Sequence, residues 1–120
     1  MKNLLVIIDD DAISRLIAQR LLKSVKEVQV PTSPADVDAV TASDVGLLIV
    51  DRHMQEDWQL ARDRLIARLG DVQVVEWTCG GDYASDEAVP QASQVITKTG
   101  SGRELMAFIT DWKSKDKGET

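Results

Sequence analysis

Apolar and polar positions alternate along this chain in a way that predicts strands and helices in turn. Leu4-Leu5-Val6-Ile7-Ile8 is an unbroken apolar run, the pattern of a strand covered on both faces of a parallel sheet. Asp9-Asp10-Asp11 stops it. Ile13, Leu16, Ile17 and Leu21 then recur at helical spacing, with Asp11 placed to cap that helix. Lys26–Val30 reads as a short strand, and Ser33-Pro34-Ala35-Asp36 as a helix start with Ser33 capping and Pro34 in the first turn. Val45–Val50 is the next buried strand. Trp58, Ala61, Leu65 and Leu69 mark a third helix that Gly70 ends. Val72–Trp77 and Val95–Thr97 are the fourth and fifth strands. Ser101-Gly102-Arg103-Glu104 has capping-box form ahead of a last helix lined by Leu105, Phe108, Ile109 and Trp112. Cys79–Ser93 resists the pattern; a fourth helix there would be short or irregular, near Ser85–Val89. Residues 1–112 therefore read as one domain, and Lys113–Thr120 as a polar tail or the start of a linker.

Strands alternating with helices imply an α/β fold, a parallel sheet with helices on both faces joined by right-handed crossovers. Composition agrees: 120 residues, 43% hydrophobic and 28% charged, suit a globular chain. The apolar runs are far shorter than the roughly 20 residues of a membrane span, so no membrane is expected as a partner. One cysteine, Cys79, excludes an internal disulfide and points to a reducing, cytoplasmic setting. A net charge of −6 provides no basic face for direct contact with nucleic acid.

In sheets of this kind, function collects beyond the carboxyl ends of the strands. The residues there are Asp9-Asp10 after the first strand, Asp51 after the third, Thr78 after the fourth and Lys98 after the fifth. Three carboxylates brought together repel unless a cation sits among them. An all-oxygen ligand set favours a hard ion, and Mg²⁺ with retained waters fits two or three carboxylates. A threonine hydroxyl and a lysine ammonium suit phosphoryl oxygens. A carboxylate beside such groups can attack phosphorus and form an acyl phosphate.

These residues resemble the receiver domain of bacterial two-component response regulators over essentially the whole span Leu4–Trp112. The resemblance rests on Ile7-Ile8-Asp9-Asp10-Asp11, Ile49-Val50-Asp51-Arg52-His53-Met54, Trp77-Thr78 and Ile96-Thr97-Lys98, with Arg15 in the first helix. It implies a flavodoxin-like five-stranded sheet of order 2-1-3-4-5. It further implies Asp51 as phosphoacceptor, Mg²⁺ held by Asp9, Asp10, Asp51 and the backbone carbonyl of His53, and Thr78 and Lys98 on the phosphoryl group. The implied partners are a sensor histidine kinase or phosphotransfer protein, a downstream output domain or protein, and a second copy of the chain in a homodimer. The implied module is a signalling device rather than an enzyme, beyond gaining and losing its own phosphoryl group.

Departures from the family pattern fall on its switching parts. Lys98 precedes Thr99 rather than proline, so a trans peptide is expected, a cis bond before a non-proline residue costing about 2.5–4 kcal/mol. Val95 stands at the aromatic switch position, and Gln55 and Trp58 replace the usual proline and glycine. One alternative is therefore a divergent receiver that binds a partner without phosphorylation. Another is a small phosphohydrolase of the haloacid-dehalogenase type, with its Asp-x-Asp signature read onto Asp9-Asp10-Asp11 and Asp11 as leaving-group acid.

Overall fold

A computed structural model describes residues 3–25, 27–79, 89–99 and 101–118. Five parallel strands form one sheet: β1 (Leu4–Ile8), β2 (Val28–Gln29), β3 (Val45–Val50), β4 (Gln73–Thr78) and β5 (Ala92–Thr97), in the order β2-β1-β3-β4-β5. Four α-helices accompany them among the described residues: α1 (Ala12–Leu21), α2 (Pro34–Asp38), α3 (Glu56–Leu69) and α4 (Arg103–Gly118). The flavodoxin-like order expected from the resemblance is thus the observed one.

Both faces of the sheet are covered, which explains the apolar runs. Alternate residues of each central strand enter opposite cores. Val6, Ile8, Leu48, Val50 and Val74 pack against Val37 of α2 and Trp58, Ala61, Leu65, Ile66 and Leu69 of α3. Leu5, Ile7, Leu47, Ile49, Val75 and Trp77 pack against Ala18 of α1 and Leu105 and Ile109 of α4. The three tryptophans are packing residues: Trp58 and Trp77 are buried, and Trp112 lies against the second core.

The helix ends follow local chemistry. Asp11 accepts the backbone N–H of Ser14 at 3.1 Å and so caps α1, and Ser33 accepts that of Asp36 at 3.1 Å to cap α2. Gly70 closes α3 at φ +70°.

Several boundaries differ from the sequence reading. β4 runs one residue further and takes in Thr78, while β5 begins at Ala92 instead of Val95. The inward stripe of α1 is rotated: Ser14 and Ala18 are buried, whereas Ile13 is 68% and Leu16 47% exposed. The capping box does not form. Gly102 offers its carbonyl to the Met106 N–H, and the Glu104 carboxylate turns instead to the Thr99 hydroxyl at 2.7 Å. At φ +66°, Gly102 lies so close to Leu21 that a Cβ would collide with its side chain, so α4 starts where the chain must press against α1. The polar stretch after Trp112 continues α4 as far as Gly118, because no residue in it breaks a helix before that glycine. The irregular fourth helix expected near Ser85–Val89 falls mostly outside the described residues.

Candidate phosphoacceptor and metal site

Strand register brings the candidate residues to one rim. Ile8 pairs with Val50, so Asp9 and Asp51 emerge side by side, with the Asp51 N–H donating to the Ile8 carbonyl at 3.1 Å. Thr78 pairs with Thr97, and the Lys98 N–H donates to the Thr78 carbonyl at 2.7 Å. No cis peptide bond occurs among the described residues, in line with the expectation at Lys98-Thr99.

Carboxylate oxygens of Asp9, Asp10 and Asp51 lie within 4.8 Å of one another. Asp9 is fully buried and Asp51 nearly so. Backbone donors orient all three. Asp9 Oδ1 accepts the Asp11 N–H at 2.9 Å, Asp10 Oδ2 the Gln55 N–H at 2.8 Å, and Asp51 Oδ1 the His53 N–H at 3.3 Å. A separate contact from Arg15 Nη1 to the Asp9 carbonyl at 3.0 Å ties the loop after β1 to α1.

Lys98 enters this cluster from the far end of the sequence. Its ammonium donates to Asp9 Oδ2 at 2.6 Å, Ser14 Oγ at 3.1 Å and Asp51 Oδ2 at 3.2 Å. Its three donors therefore have three acceptors. The same nitrogen lies 4.9 Å from the centre of the Trp77 ring, a cation–π contact. Burial works against the Lys98 charge, but its hydrogen bond to Asp9 and the charges of Asp9 and Asp51 outweigh it and push the lysine above its ordinary value. Burial pushes the Asp9 carboxyl up, and nearby Asp51 adds to this; Lys98 and the Asp11 N–H only partly offset them. A buried carboxyl held in this way gains from any further cation that reaches it.

The Thr78 hydroxyl is buried and, among the described residues, has no hydrogen-bond partner. Such a group costs free energy until a ligand or water satisfies it. Thr78 lines a cleft of about 430 Å³ together with Asp10, Asp51, His53, Lys98 and Thr99. The residues expected at the site thus border a common space: Asp9, Asp10, Asp51 and Lys98 by direct approach, Thr78 and His53 around the shared cleft. Three inward carboxylates with only oxygen donors fit a hard divalent cation. Asp11 also borders this cleft, but it is engaged within its own helix start. Its carboxylate is taken up by Ser14, whose hydroxyl donates to it at 2.8 Å, and that bond holds its pKa below the usual value. This leaves it poorly placed for the leaving-group acid of the phosphohydrolase alternative.

The structure adds two residues, Ser14 and Arg62, that the sequence reading missed. It also gives Glu76, an acid that stands out inside an apolar strand as facing an edge or pairing with a cation, its cationic partner. Ser14 links Lys98 to the Asp11 cap, and its spacing of three from Asp11 was a readable signal. Glu76 binds Arg52 through two bonds of 2.7 and 2.8 Å. Arg62 occupies a buried position of α3 and donates to the carbonyls of Asp51 and Arg52. A charged residue at a core-facing position of the helical period was its signal.

No family model and no curated protein matches the sequence. Solved structures do match. A response regulator receiver domain protein from Clostridium thermocellum is 17% identical, with a TM-score of 0.69 over 97% of this chain and 98% of its own. Response regulator TrrA of Thermotoga maritima, in complex with Mg²⁺ and a beryllium fluoride, is 18% identical, with a TM-score of 0.69 over 92% of this chain and 98% of its own. The receiver domain of nitrogen regulatory protein C is 21% identical, with a TM-score of 0.66 over 92% and 94%. The chain has the fold of response regulator receiver domains.

Proposed function

We propose that this chain is a phosphoacceptor signalling domain that takes a phosphoryl group onto Asp51 from a phosphohistidine of a sensor kinase or phosphotransfer protein. The observation that carries this reading is the approach of Lys98, from 89 and 47 residues away, to Asp9 and Asp51 beside a buried, unsatisfied Thr78 hydroxyl. Asp9, Asp10 and Asp51, with the backbone carbonyl of His53, would hold Mg²⁺. When bound, the ion would neutralise charge on the carboxylates and the phosphoryl oxygens.

An Asp51 carboxylate oxygen attacks phosphorus as the phosphorus–nitrogen bond of the donor breaks. The electron pair leaves with the imidazole nitrogen, and Asp51 becomes an acyl phosphate. Lys98 releases part of its hold on Asp51 and follows the charge to a phosphoryl oxygen. Thr78 donates its unused hydroxyl to another. Added charge near neutral pH biases surfaces built on β4 and β5, which carry these two residues or lead into them. The switched surface would serve an output domain, a separate target or a second copy of the chain. The complex of TrrA with Mg²⁺ and a beryllium fluoride supports the metal assignment by likeness of fold. Among the described residues no helix is long and apolar enough to cross a membrane.

Intact-mass measurement after exposure to acetyl phosphate and Mg²⁺ tests the proposal. Wild type is expected to gain one phosphate, and Asp51→Asn none. An unchanged wild-type mass at saturating donor would refute it.

A further inference from the structure

The loop after β3 is tied down by charged groups that the phosphoacceptor chemistry does not itself call for. Arg62 shares its face of α3 with Ala61, Leu65, Ile66 and Leu69 and is only 5% exposed. Arginine is almost never found so deep unless it is paired. Its Nη1 donates to the carbonyl of Asp51 at 3.1 Å and that of Arg52 at 3.3 Å, while Nε binds Asp63 at 2.9 Å. From the sheet side, Glu76 is 2% exposed and receives both Nε and Nη2 of Arg52. Residues 51 and 52 are therefore anchored to α3 through their backbone and to β4 through a side chain.

Packing alone does not account for this arrangement. Removing charges from water is costly, and apolar side chains of like volume often hold a fold as well or better. The anchors sit where geometry matters for chemistry. One holds the carbonyl of the attacking residue itself and that of Arg52, the residue just before His53. The other belongs to the strand that carries Thr78 two residues on.

We infer that Arg62 and the Arg52–Glu76 pair form a positioning clamp, which sets the Asp51 carboxylate and the turn through His53 for a divalent cation and an incoming phosphoryl group. The inference rests on the proposed function. Arg62 acts through the loop backbone, binding the main-chain carbonyls of Asp51 and Arg52 and not the Asp51 carboxylate. A guanidinium suits the task because it can spread several directed donors over neighbouring acceptors, whereas a lysine is a single point of charge. Supporting partners behind metal ligands typically change affinity or activity about 10–100-fold.

The test compares wild type with Arg62→Met, Arg62→Lys, Glu76→Gln and, as a control in the opposite core, Ile109→Val. Mg²⁺ affinity is read by titration calorimetry, phosphorylation rate with acetyl phosphate by mass spectrometry, and stability by urea unfolding. Arg62→Met is expected to weaken Mg²⁺ binding and slow phosphorylation about 10–100-fold. Arg62→Lys should recover part of both, Glu76→Gln should show a smaller loss, and Ile109→Val should lose stability alone. Should Arg62→Met not fold, Arg62→Lys and Glu76→Gln decide the question. Wild-type affinity and rate in those two folded variants would overturn the clamp. Equal losses in Ile109→Val would overturn it as well, since they would trace to stability. A wild type that neither binds Mg²⁺ nor gains phosphate overturns the proposed function, and the clamp with it.

Discussion

Two arginine forks in this molecule have nearly the same geometry and opposite surroundings. Arg64 of α3 grips Asp38 of α2 with bonds of 3.0 and 2.8 Å, and Arg52 grips Glu76 with bonds of 2.7 and 2.8 Å. The first pair is half in water, where solvent competes and salt screens. In the second, Glu76 has given up its hydration inside the sheet, and only its complete set of bonds compensates. Bond length therefore says little about what a pair contributes. What matters is the state of the partner left behind when one member is removed.

Glu76→Ala tests that claim most severely. It strips Arg52 of its bidentate partner and opens space in a central strand, so a loss of about 3–5 kcal/mol is expected in urea unfolding. Arg52 retains some contact with water, which places the result toward the lower figure. In the double variant Arg52→Met/Glu76→Leu most of that stability should return, because an apolar pair needs no compensation. If it does not return, the buried fork is itself a net stabiliser and the contrast between the two forks weakens.

The carboxylate cluster sharpens the contrast next. Its carboxylates lie close together, two of them buried, so a divalent cation should stabilise the fold by mass action. Mg²⁺ at 100 times its dissociation constant should add about 2.7 kcal/mol, read as a higher midpoint of thermal unfolding. Asp51→Asn should remove most of that gain. A full gain in that variant would place the ion elsewhere.

Asp11 lies between the extremes, exposed yet bonded to an otherwise unpaired N–H at the start of α1. Asp11→Ala is expected to cost about 0.5–2 kcal/mol in urea unfolding, and Asp11→Asn much less, because the amide oxygen still caps.

The smallest effect belongs to the surface fork. The hydrogen bond from Arg64 holds the Asp38 carboxyl below its ordinary value of 3.8, so the pair's contribution is complete above that pH and fades as pH falls beneath it. Asp38→Asn should be nearly indistinguishable from wild type in high salt, with any difference confined to low ionic strength. A large, salt-independent loss would break the comparison.

Most of the fold was legible in the linear order of residues. Apolar runs of five and six residues can be read as doubly covered strands because burial on both faces leaves no polar position. The caps Asp11 and Ser33 and the stop at Gly70 were legible too, since each acts within a few residues of itself. Asp9, Asp10, Asp51 and Lys98 could be placed at one rim from their position at strand ends alone. The rotation of α1 was not legible. Ile13 and Leu16 share a helical stripe with Ile17, but Ser14 turns inward because Lys98, far away in the chain, offers it a buried partner. The start of α4 escaped for a similar reason, as Gly102 meets Leu21 only once the helices are side by side.

What the order of residues settled was the alternation of strands and helices and the polar groups that end each strand, because periodicity and capping are local. The partners of Glu76, Arg62 and Ser14 were settled only by the assembled sheet. A charged side chain reaches whatever register and helix rotation bring within a few ångströms, and that depends on the whole chain.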